Sequence, residues 1–338
     1  MGDYNFGKGG PSWNGIPLAG NGLPTTFGNT ANKGAGRHFF VNPTIGSDSY
    51  NGLSMDRPFA SSEKAYDAMT TNNHDTMVLS ATSAHARASD GDDELTVTKS
   101  RCHFLGLDAV GRYYGQRSRM TLGVSTASGG AIAVVQNTGV GNTFSNIKFD
   151  SSDTESTSLY AFAEGGEYTV IENCELYKST DLDQATAAEL LMNGDSSLVR
   201  NCTIGSLATE VSAARTNVLL TGGTISGKKC RDVTFENCNF WLKSSSNTAC
   251  HFHATLATDV ERMLKIKNSE MIVAVLSSGT VGDAIIVDAA QTQGEILVVN
   301  TCNLGSTAMC TTGTVGVFYY GPEIATAATA GNPVVVTD

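Results

Sequence analysis

The chain has 338 residues, a length that allows one large all-β domain or two ordinary domains with a substantial core. Its 36 Gly, 7 Pro and 41% hydrophobic residues favour many short strands joined by tight turns. The net charge of −11 and the lack of a basic run argue against a nucleic-acid-binding surface, and no stretch is long and apolar enough for a transmembrane helix.

Residues 1–37 are rich in Gly, Asn, Pro and Ser with isolated apolar side chains, so this segment cannot bury a core of its own. We predict an extended docking arm that binds a partner through spaced aromatic anchors, namely Tyr4, Phe6, Trp13 and Phe27. Its opening residues, MGDYNFGKGG, lack the basic-then-apolar order of a secretory signal. We therefore expect the protein to be made and assembled in a cytoplasm.

Six short runs share one pattern of side chains: apolar, polar, Asn (Thr301 in the last run), small, polar, apolar. The runs are Phe144–Phe149, Ile171–Leu176, Val199–Ile204, Phe235–Phe240, Ile266–Met271 and Val299–Leu304. Side chains alternate in and out as a strand requires, but the in-to-in step across the Asn is three residues instead of two. Asn is the non-Gly residue best able to adopt the left-handed conformation of a sharp turn. Each run therefore predicts two short strands that meet at an Asn corner.

A further strand precedes most of these runs. These strands are predicted at 131–135, 160–164, 189–193, 217–221, 284–288 and 315–320. We take the strand at 315–320 as equivalent to the other five. Each unit thus has about three strands and recurs at a period of roughly thirty residues, which indicates a solenoid. No amphipathic helical stretch recurs in the period to link parallel strands. We predict an all-β fold, a right-handed single-stranded parallel β-helix.

In a β-helix, equivalent residues of successive coils stack about 4.8 Å apart. We therefore expect a structural ladder in which each side-chain amide bonds the next, formed by Asn146, Asn173, Asn201, Asn237 and Asn268. Cys174, Cys202, Cys238 and Cys302 should stack just inside it as small, buried, reduced residues. The eight cysteines include no C-x-x-C pair, so neither a disulfide scaffold nor a zinc site is expected.

Residues 38–69, HFFVNPTIGSDSYNGLSMDRPFASSEKAYDAM, resemble the entry segment of pectate-lyase-like right-handed β-helix proteins, in which a strand leads through a Gly-Ser-Asp and Asn-Gly loop into a short helix. The resemblance implies a short N-terminal capping helix at about 61–71, which Ser61 or Ser62 can cap and in which Ala65 and Met69 lie one turn apart on a single face. This helix would plug the open end of the coil stack and hide core and strand edges from water. The resemblance covers about residues 38–320, which we take as the β-helix domain, and leaves 321–338 as a C-terminal tail or cap. LSATSAHA (79–86) and HFLGLDAVGRYYGQRSRMTL (103–122) resemble β-helix proteins encoded by tailed bacteriophages, which implies a virion protein. The superfamily includes lyases, hydrolases, phage tailspikes and inert virion proteins, so the resemblance indicates fold more than activity.

Enzymes of this fold that act on polysaccharides need carboxylates, either to hold calcium beside a basic residue or as a pair across a groove. The acidic candidates are Asp90, Asp92, Asp93, Glu94, Asp181, Asp183, Glu172, Glu175, Glu236 and Glu270. The first six lie in loops, where a solvated turn is the simplest interpretation. The outward glutamates lie beside Arg200 and Lys267 at equivalent positions, which favours a surface ladder of mixed charge. We therefore assign no catalytic residue.

His251 and His253 should lie on one side of a strand, but no third ligand stands at a telling spacing. We interpret them as part of a polar surface strand or a subunit contact, and we expect no metal site. No P-loop or dinucleotide fingerprint appears, so no cofactor is expected. The two tryptophans, Trp13 and Trp241, are few for a glycan-cleaving groove.

These features favour a non-enzymatic protein of the virion. We expect a capsid decoration or cement protein, similar to a head fibre, that forms a homotrimer. Its arm would bind the major capsid protein or other virion proteins, and neither nucleic acid nor membrane would be a partner. The alternative is a tailspike or tail-fibre adhesin that binds a host surface glycan; an enzymatic form would be a polysaccharide lyase or a glycoside hydrolase.

Overall fold

A computed structural model of the protein describes residues 12–13, 16–17, 36–86, 94–107, 118–121, 132–151, 159–178, 187–211, 215–220, 225, 228–244, 246–256, 258–275, 282–288, 294–310, 317–320 and 334–335. Of the predicted arm anchors, Tyr4, Phe6 and Phe27 lie outside these residues, as does most of the predicted tail at 321–338. Trp13 ends the two-residue strand β1 (Ser12–Trp13), which pairs antiparallel with β2 (Ile16–Pro17).

The chain enters the solenoid through β3 (His38–Val41) and α1 (Ser62–Ala68) and then winds through triplets of strands. The first triplets are β4 (Thr76–Leu79), β5 (His85–Ala86), β6 (Leu95–Val97); β7 (His103–Gly106), β8 (Arg119–Thr121), β9 (Ala133–Asn137); β10 (Thr143–Ser145), β11 (Lys148–Ser151), β12 (Tyr160–Glu164); and β13 (Val170–Glu172), β14 (Glu175–Lys178), β15 (Ala188–Met192). The next are β16 (Leu198–Arg200), β17 (Thr203–Val211), β18 (Thr216–Leu220); β19 (Val233–Glu236), β20 (Asn239–Ser244), β21 (Cys250–Ala254); and β22 (Met263–Lys267), β23 (Glu270–Val275), β24 (Ile285–Val287). The strands β25 (Glu295–Val299), β26 (Cys302–Leu304), β27 (Val317–Tyr320) and β28 (Val334–Val335) follow.

Strands with the same place in their triplets form three parallel sheets. Sheet 1 contains the first strands together with β3, β25, β27 and β28; sheet 2 contains the second strands and β26; sheet 3 contains the third strands. Within the described residues these sheets have 11, 8 and 7 strands, and hydrogen-bonded neighbours come from adjacent coils. The protein is a right-handed parallel β-helix, which confirms the predicted fold class.

The strand predicted at 315–320 belongs to sheet 1, and its grouping with the sheet-3 strands is wrong. β27 pairs with β25 through Val317 and Ile296. In the described part of the preceding coil, sheet 3 is continued by an isolated bridge between Ile285 and Cys310. The chain has therefore already passed sheet 3 when it reaches Val317.

Left-handed residues turn the chain from sheet 1 to sheet 2. Five asparagines occupy this corner with φ between +51° and +57°: Asn146, Asn173, Asn201, Asn237 and Asn268. The left-handed residue interrupts the alternation of inward and outward side chains by one position. The residue two before the Asn and the residue directly after it therefore both face inward. The sheet is bent at each of these residues, and the flanking strands stay in register between coils.

The last corner is shifted by one residue from the predicted alignment. Asn300 takes the left-handed position with φ +47°, and Thr301 fills the small inward position at 2% exposed. Cys302 is exposed, so its predicted place in the buried cysteine stack is wrong. The alignment failed because Val299, which pairs with Lys267 and faces outward, is apolar and imitates the inward residue that opens each run.

A second column of left-handed residues turns the chain from sheet 3 back to sheet 1. Its members, with φ between +50° and +69°, are Arg101, Gly141, Tyr168, Ser196 and Asp232. Backbone hydrogen bonds link them between coils; the N–H of Arg101, for example, donates to the carbonyl of Val140 at 2.8 Å. The sequence did not reveal this corner because its residue types have nothing in common.

The interior is filled by side chains that stack from coil to coil. The rings of Phe104 and Phe144 stack with centroids 4.6 Å apart, and Phe162 meets Phe144 edge-on at 4.9 Å. All three rings are buried. Because burying one such side chain contributes about 1.5–3 kcal/mol, this aromatic column is a major part of the core.

The helix α1 lies at the N-terminal end of the coil stack. Ser61 caps it, with Oγ accepting from the N–H of Lys64 at 3.2 Å. Met69 leaves the helix in an extended conformation with ψ 149°, so the helix is shorter than predicted. Lys99 binds the helix end through Nζ, which donates to the carbonyl of Met69 at 2.8 Å. Among the described residues, no helix has the length and apolarity needed to cross a membrane.

Candidate functional site

The cysteines of the Asn-Cys pairs form a buried column. Cys174, Cys202 and Cys238 are between 0% and 3% exposed. The Sγ of Cys202 donates to the carbonyl of Ile171 in the preceding coil at 3.5 Å. Burial raises the pKa of the Cys202 and Cys238 thiols well above the ordinary value. Because the thiolate is the nucleophile and the metal ligand, these thiols serve packing instead of chemistry.

The corner asparagines are linked between coils by their backbone. The N–H of Asn146 donates to the carbonyl of Glu172 at 3.2 Å, and the N–H of Asn173 donates to the carbonyl of Arg200 at 3.1 Å. The side-chain Oδ1 of Asn146 is buried without a hydrogen-bond partner. At this corner Oδ1 therefore takes no part in the amide-to-amide bonding that the sequence predicted.

The carboxylates beside the corners are paired with cations from neighbouring coils, and Glu175, predicted on the outer surface, is buried at 3% exposed. The pairs are Glu172–Arg200 at 2.5 Å, Glu175–Lys148 at 3.0 Å and Glu236–Lys267 at 3.0 Å. Further pairs near the second corner are Asp195–Arg231 at 3.3 Å, Glu261–Arg231 at 2.5 Å, Glu167–Lys228 at 2.9 Å and Asp232–Arg262. Together they form a mixed-charge ladder, whose exposed members contribute about 0–1 kcal/mol each. Glu270, the remaining outward candidate, is exposed.

The acidic loops mostly lie outside the described residues, which include neither Asp90, Asp92 and Asp93 nor Asp181 and Asp183. Glu94 is described. Its Oε2 accepts the backbone N–H of Ile132 at 2.9 Å and of Ala133 at 3.3 Å. This carboxylate therefore holds the start of β9 in place.

A cluster of buried charges lies where sheet 2 turns into sheet 3. Lys178, Glu189 and Arg215 are between 1% and 3% exposed. Arg215 Nη2 donates to Glu189 Oε1 and, at 3.0 Å, to the carbonyl of Lys178. Lys178 Nζ donates to Ser151 Oγ at 3.2 Å. Burial raises the pKa of Glu189, and the Arg215 guanidinium counteracts part of that rise. The cluster joins three successive coils.

Asn217 extends this cluster toward the next coil. Its Nδ2 donates to Glu189 Oε2 at 3.2 Å and to the carbonyl of Trp241 at 3.0 Å. Its Oδ1 is therefore the acceptor for Nδ1–H of His251 at 2.6 Å. Burial lowers the pKa of His251 to about 3, so the ring is neutral near pH 7. Because these groups are closed to solvent, the arrangement links coils and offers no surface to a substrate.

The prediction that His251 and His253 share one side of a surface strand is wrong. His251 is 0% exposed, whereas His253 Nε2 bonds Asp288 Oδ2 at 2.9 Å on the outer face. The alternation breaks at the start of the sheet-3 strands, as shown by the consecutive residues Ala161 and Phe162 of β12, which both lie in the core. The corner there turns one additional side chain inward.

Sequence reasoning missed the buried charge cluster. The available signal was a charged residue inside an otherwise apolar strand, because Glu189 lies between Ala188 and Leu190 in β15. The identity of its cation was not predictable, since Arg215 comes 26 residues later and meets Glu189 only through coil stacking.

A second buried carboxylate, Glu164, ends β12 and is 0% exposed. It accepts hydrogen bonds from the N–H of Gly166 at 2.7 Å, from Thr169 Oγ1 at 3.0 Å and from Asn137 Nδ2 at 2.9 Å. Burial raises its pKa to about 7, although these hydrogen bonds favour the charged form. Glu164 therefore titrates inside the fold near neutral pH.

Replacing Glu164 with glutamine should remove a pH dependence of stability. The folded-state pKa of about 7 lies above the ordinary 4.5, so the folded state binds this proton more tightly. The contribution of this proton to stability is complete below pH 4.5 and is lost as the pH rises through about 7. Between these two pH limits the free energy of unfolding changes by at most about 3 kcal/mol. Urea unfolding from about pH 5 to about pH 8 measures it.

Glu295→Gln, at an exposed position of β25, is the matched control and should reproduce the wild-type pH curve. Parallel curves for wild type and Glu164→Gln across this range would contradict the prediction.

Two imidazoles meet at the N-terminal end of sheet 1. His74 Nδ1 lies 3.2 Å from His103 Nε2, and the two ring planes are inclined by 17° with centroids 5.5 Å apart. Burial lowers the pKa of His103 to about 4, and the neighbouring His74 and His38 add to this effect. His74 is exposed and has φ +56°. No motif indicated this contact, because 29 residues separate the two histidines.

No family model matches the sequence, and no curated protein matches it. Solved structures match it in fold. A pectin methylesterase from Aspergillus niger is 12% identical with a TM-score of 0.54, over 86% of this chain and 85% of that chain. Pectate lyase Pel9A is 15% identical with a TM-score of 0.54, over 84% and 74%. Pectin methylesterase PemA from Erwinia chrysanthemi is 11% identical with a TM-score of 0.52, over 87% and 92%. At these identities the likeness shows the pectate-lyase-like right-handed β-helix fold, as the resemblance of residues 38–320 predicted.

Proposed function

We propose that this chain is a non-enzymatic structural protein of a tailed-phage virion, and more narrowly a capsid decoration protein similar to a cement protein or a head fibre. The N-terminal arm, residues 1–37, binds the major capsid protein or another virion protein. The coil stack then projects from the shell or bridges its subunits, and three copies assemble into a trimer.

The observation that carries this proposal is the use of charged side chains in the described coils. On the outside, carboxylates such as Glu172 and Glu236 are paired with cations of the next coil. Inside, Glu189 is paired with Arg215. Cleavage of a glycan requires carboxylates that are available to hold calcium or to flank a glycosidic bond. Charges that join coils to one another favour a rigid shaft over a catalytic groove.

The position of the arm also supports attachment. The arm leads directly into β3, the outermost strand of sheet 1 at the N-terminal end of the stack. An attachment segment at one end leaves the rest of the coil stack to extend away from the point of contact. The resemblance of 79–86 and 103–122 to phage-encoded β-helix proteins is the reason for placing the protein on a virion.

Deletion of residues 1–37 should abolish binding to particles while the β-helix remains folded, because the arm precedes the first strand of the solenoid. Co-sedimentation of the truncated protein with particles that lack it measures binding. Circular dichroism and thermal unfolding check the fold. Particles that still acquire the truncated protein would show that the coils, and not the arm, carry the contact.

The copy number and location on the particle separate decoration from the adhesin alternative. Electron cryomicroscopy should find the protein distributed over the icosahedral shell. A few copies at the tail vertex would instead indicate an adhesin, and depolymerisation of host polysaccharide by the purified protein would indicate an enzyme. Light scattering coupled to size-exclusion chromatography tests the trimer.

A further inference from the structure

We propose that His74 and His103 form a binding site for a transition-metal dication such as Zn²⁺, Ni²⁺ or Cu²⁺. Their facing nitrogens, Nδ1 and Nε2, lie 3.2 Å apart. Two imidazole nitrogens on a tetrahedral zinc ion are separated by about 3.3 Å, since each lies about 2.0–2.1 Å from the metal. Imidazole is a ligand that all three metals accept.

Metal entry keeps the separation of the two nitrogens but requires the rings to tilt. With ring centroids 5.5 Å apart, the facing nitrogens lie on the line that joins the ring centres, and an ion bound to both lies off that line. In the apo protein one ring donates a proton to the lone pair of the other. When the metal binds the facing nitrogen of each ring, that proton moves to the outward nitrogen of the same ring. The distance between the two nitrogens is already close to that of the bound state.

The backbone places both rings before any metal arrives. His74 is held in the left-handed region, and Gly36 packs so closely that a Cβ at that position would lie 1.7 Å from the His74 carbonyl oxygen. The next residue, Asp75, accepts the backbone N–H of His103 at 2.9 Å. The turn that carries one ligand is thus hydrogen-bonded to the strand that carries the other.

The site has two protein ligands. His38 lies two strands from His103 across Thr76, so their backbones are about 9.6 Å apart. Within the described ranges, no group of three or more His, Cys, Asp or Glu is arranged to hold a metal. Water completes the coordination. A bound ion would join the turn before β4 to β7, next to the strand into which the arm leads.

Isothermal titration calorimetry of the full-length protein with Zn²⁺, Ni²⁺ and Mg²⁺ tests the site. We expect one Zn²⁺ or Ni²⁺ per chain and no heat from Mg²⁺, which prefers oxygen ligands. His74→Ala and His103→Ala should each weaken binding by at least about tenfold. His74 is exposed, so its replacement leaves the fold intact, and circular dichroism checks this for both variants.

Two control variants remove other exposed ligand atoms. His253→Ala eliminates the imidazole that bonds Asp288, and Cys302→Ser eliminates the exposed thiol. Both should bind Zn²⁺ as the wild type does. The site assignment is overturned if the wild type binds neither Zn²⁺ nor Ni²⁺, if the His74→Ala/His103→Ala double variant still binds, or if binding is lost in a control variant.

Discussion

Replacing Arg215 with alanine is expected to lower the free energy of unfolding by about 3–5 kcal/mol. Arg215 is 1% exposed and supplies the cation for Glu189, which is 3% exposed. Without the guanidinium, a buried carboxylate either stays charged without its cation or takes up a proton, and both states cost free energy. Urea unfolding of both proteins at neutral pH measures the change.

Arg200→Ala is the matched control on the outer surface. Arg200 also binds a glutamate of the preceding coil, Glu172, but its side chain is 45% exposed. Solvent screens this pair, so its loss should cost at most about 1 kcal/mol. Equal losses of unfolding free energy in the two variants would show that burial does not determine how much each ion pair contributes to stability.

The joint replacement Glu189→Leu/Arg215→Met separates the cost of an unpaired charge from the value of the pair. Because replacing a buried ion pair by apolar residues of similar size is often neutral, the double variant should recover most of the stability lost in Arg215→Ala. A double variant as unstable as the single one would mean that Lys178 or Asn217 depends on the pair.

Replacing Gly205 with alanine is expected to destabilise the protein by about 2–4 kcal/mol. Gly205 lies in β17 with φ +89°, a conformation that L side chains rarely adopt. A Cβ there would lie 2.1 Å from the Trp241 carbonyl oxygen and 2.2 Å from Asn217 Nδ2. These two atoms are the acceptor and the donor of a hydrogen bond beside the buried charge cluster. The methyl group would force them apart.

Gly141→Ala separates backbone strain from this clash. Gly141 has φ +69°, but the nearest atom to a Cβ there is Cγ of Arg101 at 3.5 Å, an ordinary contact. The free energy of unfolding of this variant should fall by about 1–2 kcal/mol, the cost of a left-handed alanine alone. Thermal and urea unfolding of the two variants measure both values. If Gly205→Ala lowers the free energy of unfolding no more than Gly141→Ala does, β17 and β20 can move apart to accommodate the methyl group.

Local sequence was sufficient to predict the coils. Each corner between sheet 1 and sheet 2 is specified by a few consecutive residues: a left-handed Asn, a small inward residue such as Cys174, and an interruption of the two-residue alternation. These features depend on backbone sterics and side-chain size, which act within one turn of the chain. The exception shows the limit of the pattern, because the apolar Val299 at an outward position was enough to shift the last corner by one residue.

The tertiary structure decided which charged groups and imidazoles come into contact. Glu189 and Arg215 are 26 residues apart, and His74 and His103 are 29 apart. Whether such groups meet depends on the register of one coil on the next, and a shift of one residue turns a side chain to the opposite face. Cys302, predicted to be buried and found exposed, shows this sensitivity. Repeated local pattern therefore predicted the β-helix, whereas stacking of distant residues determined which charges and imidazoles lie together.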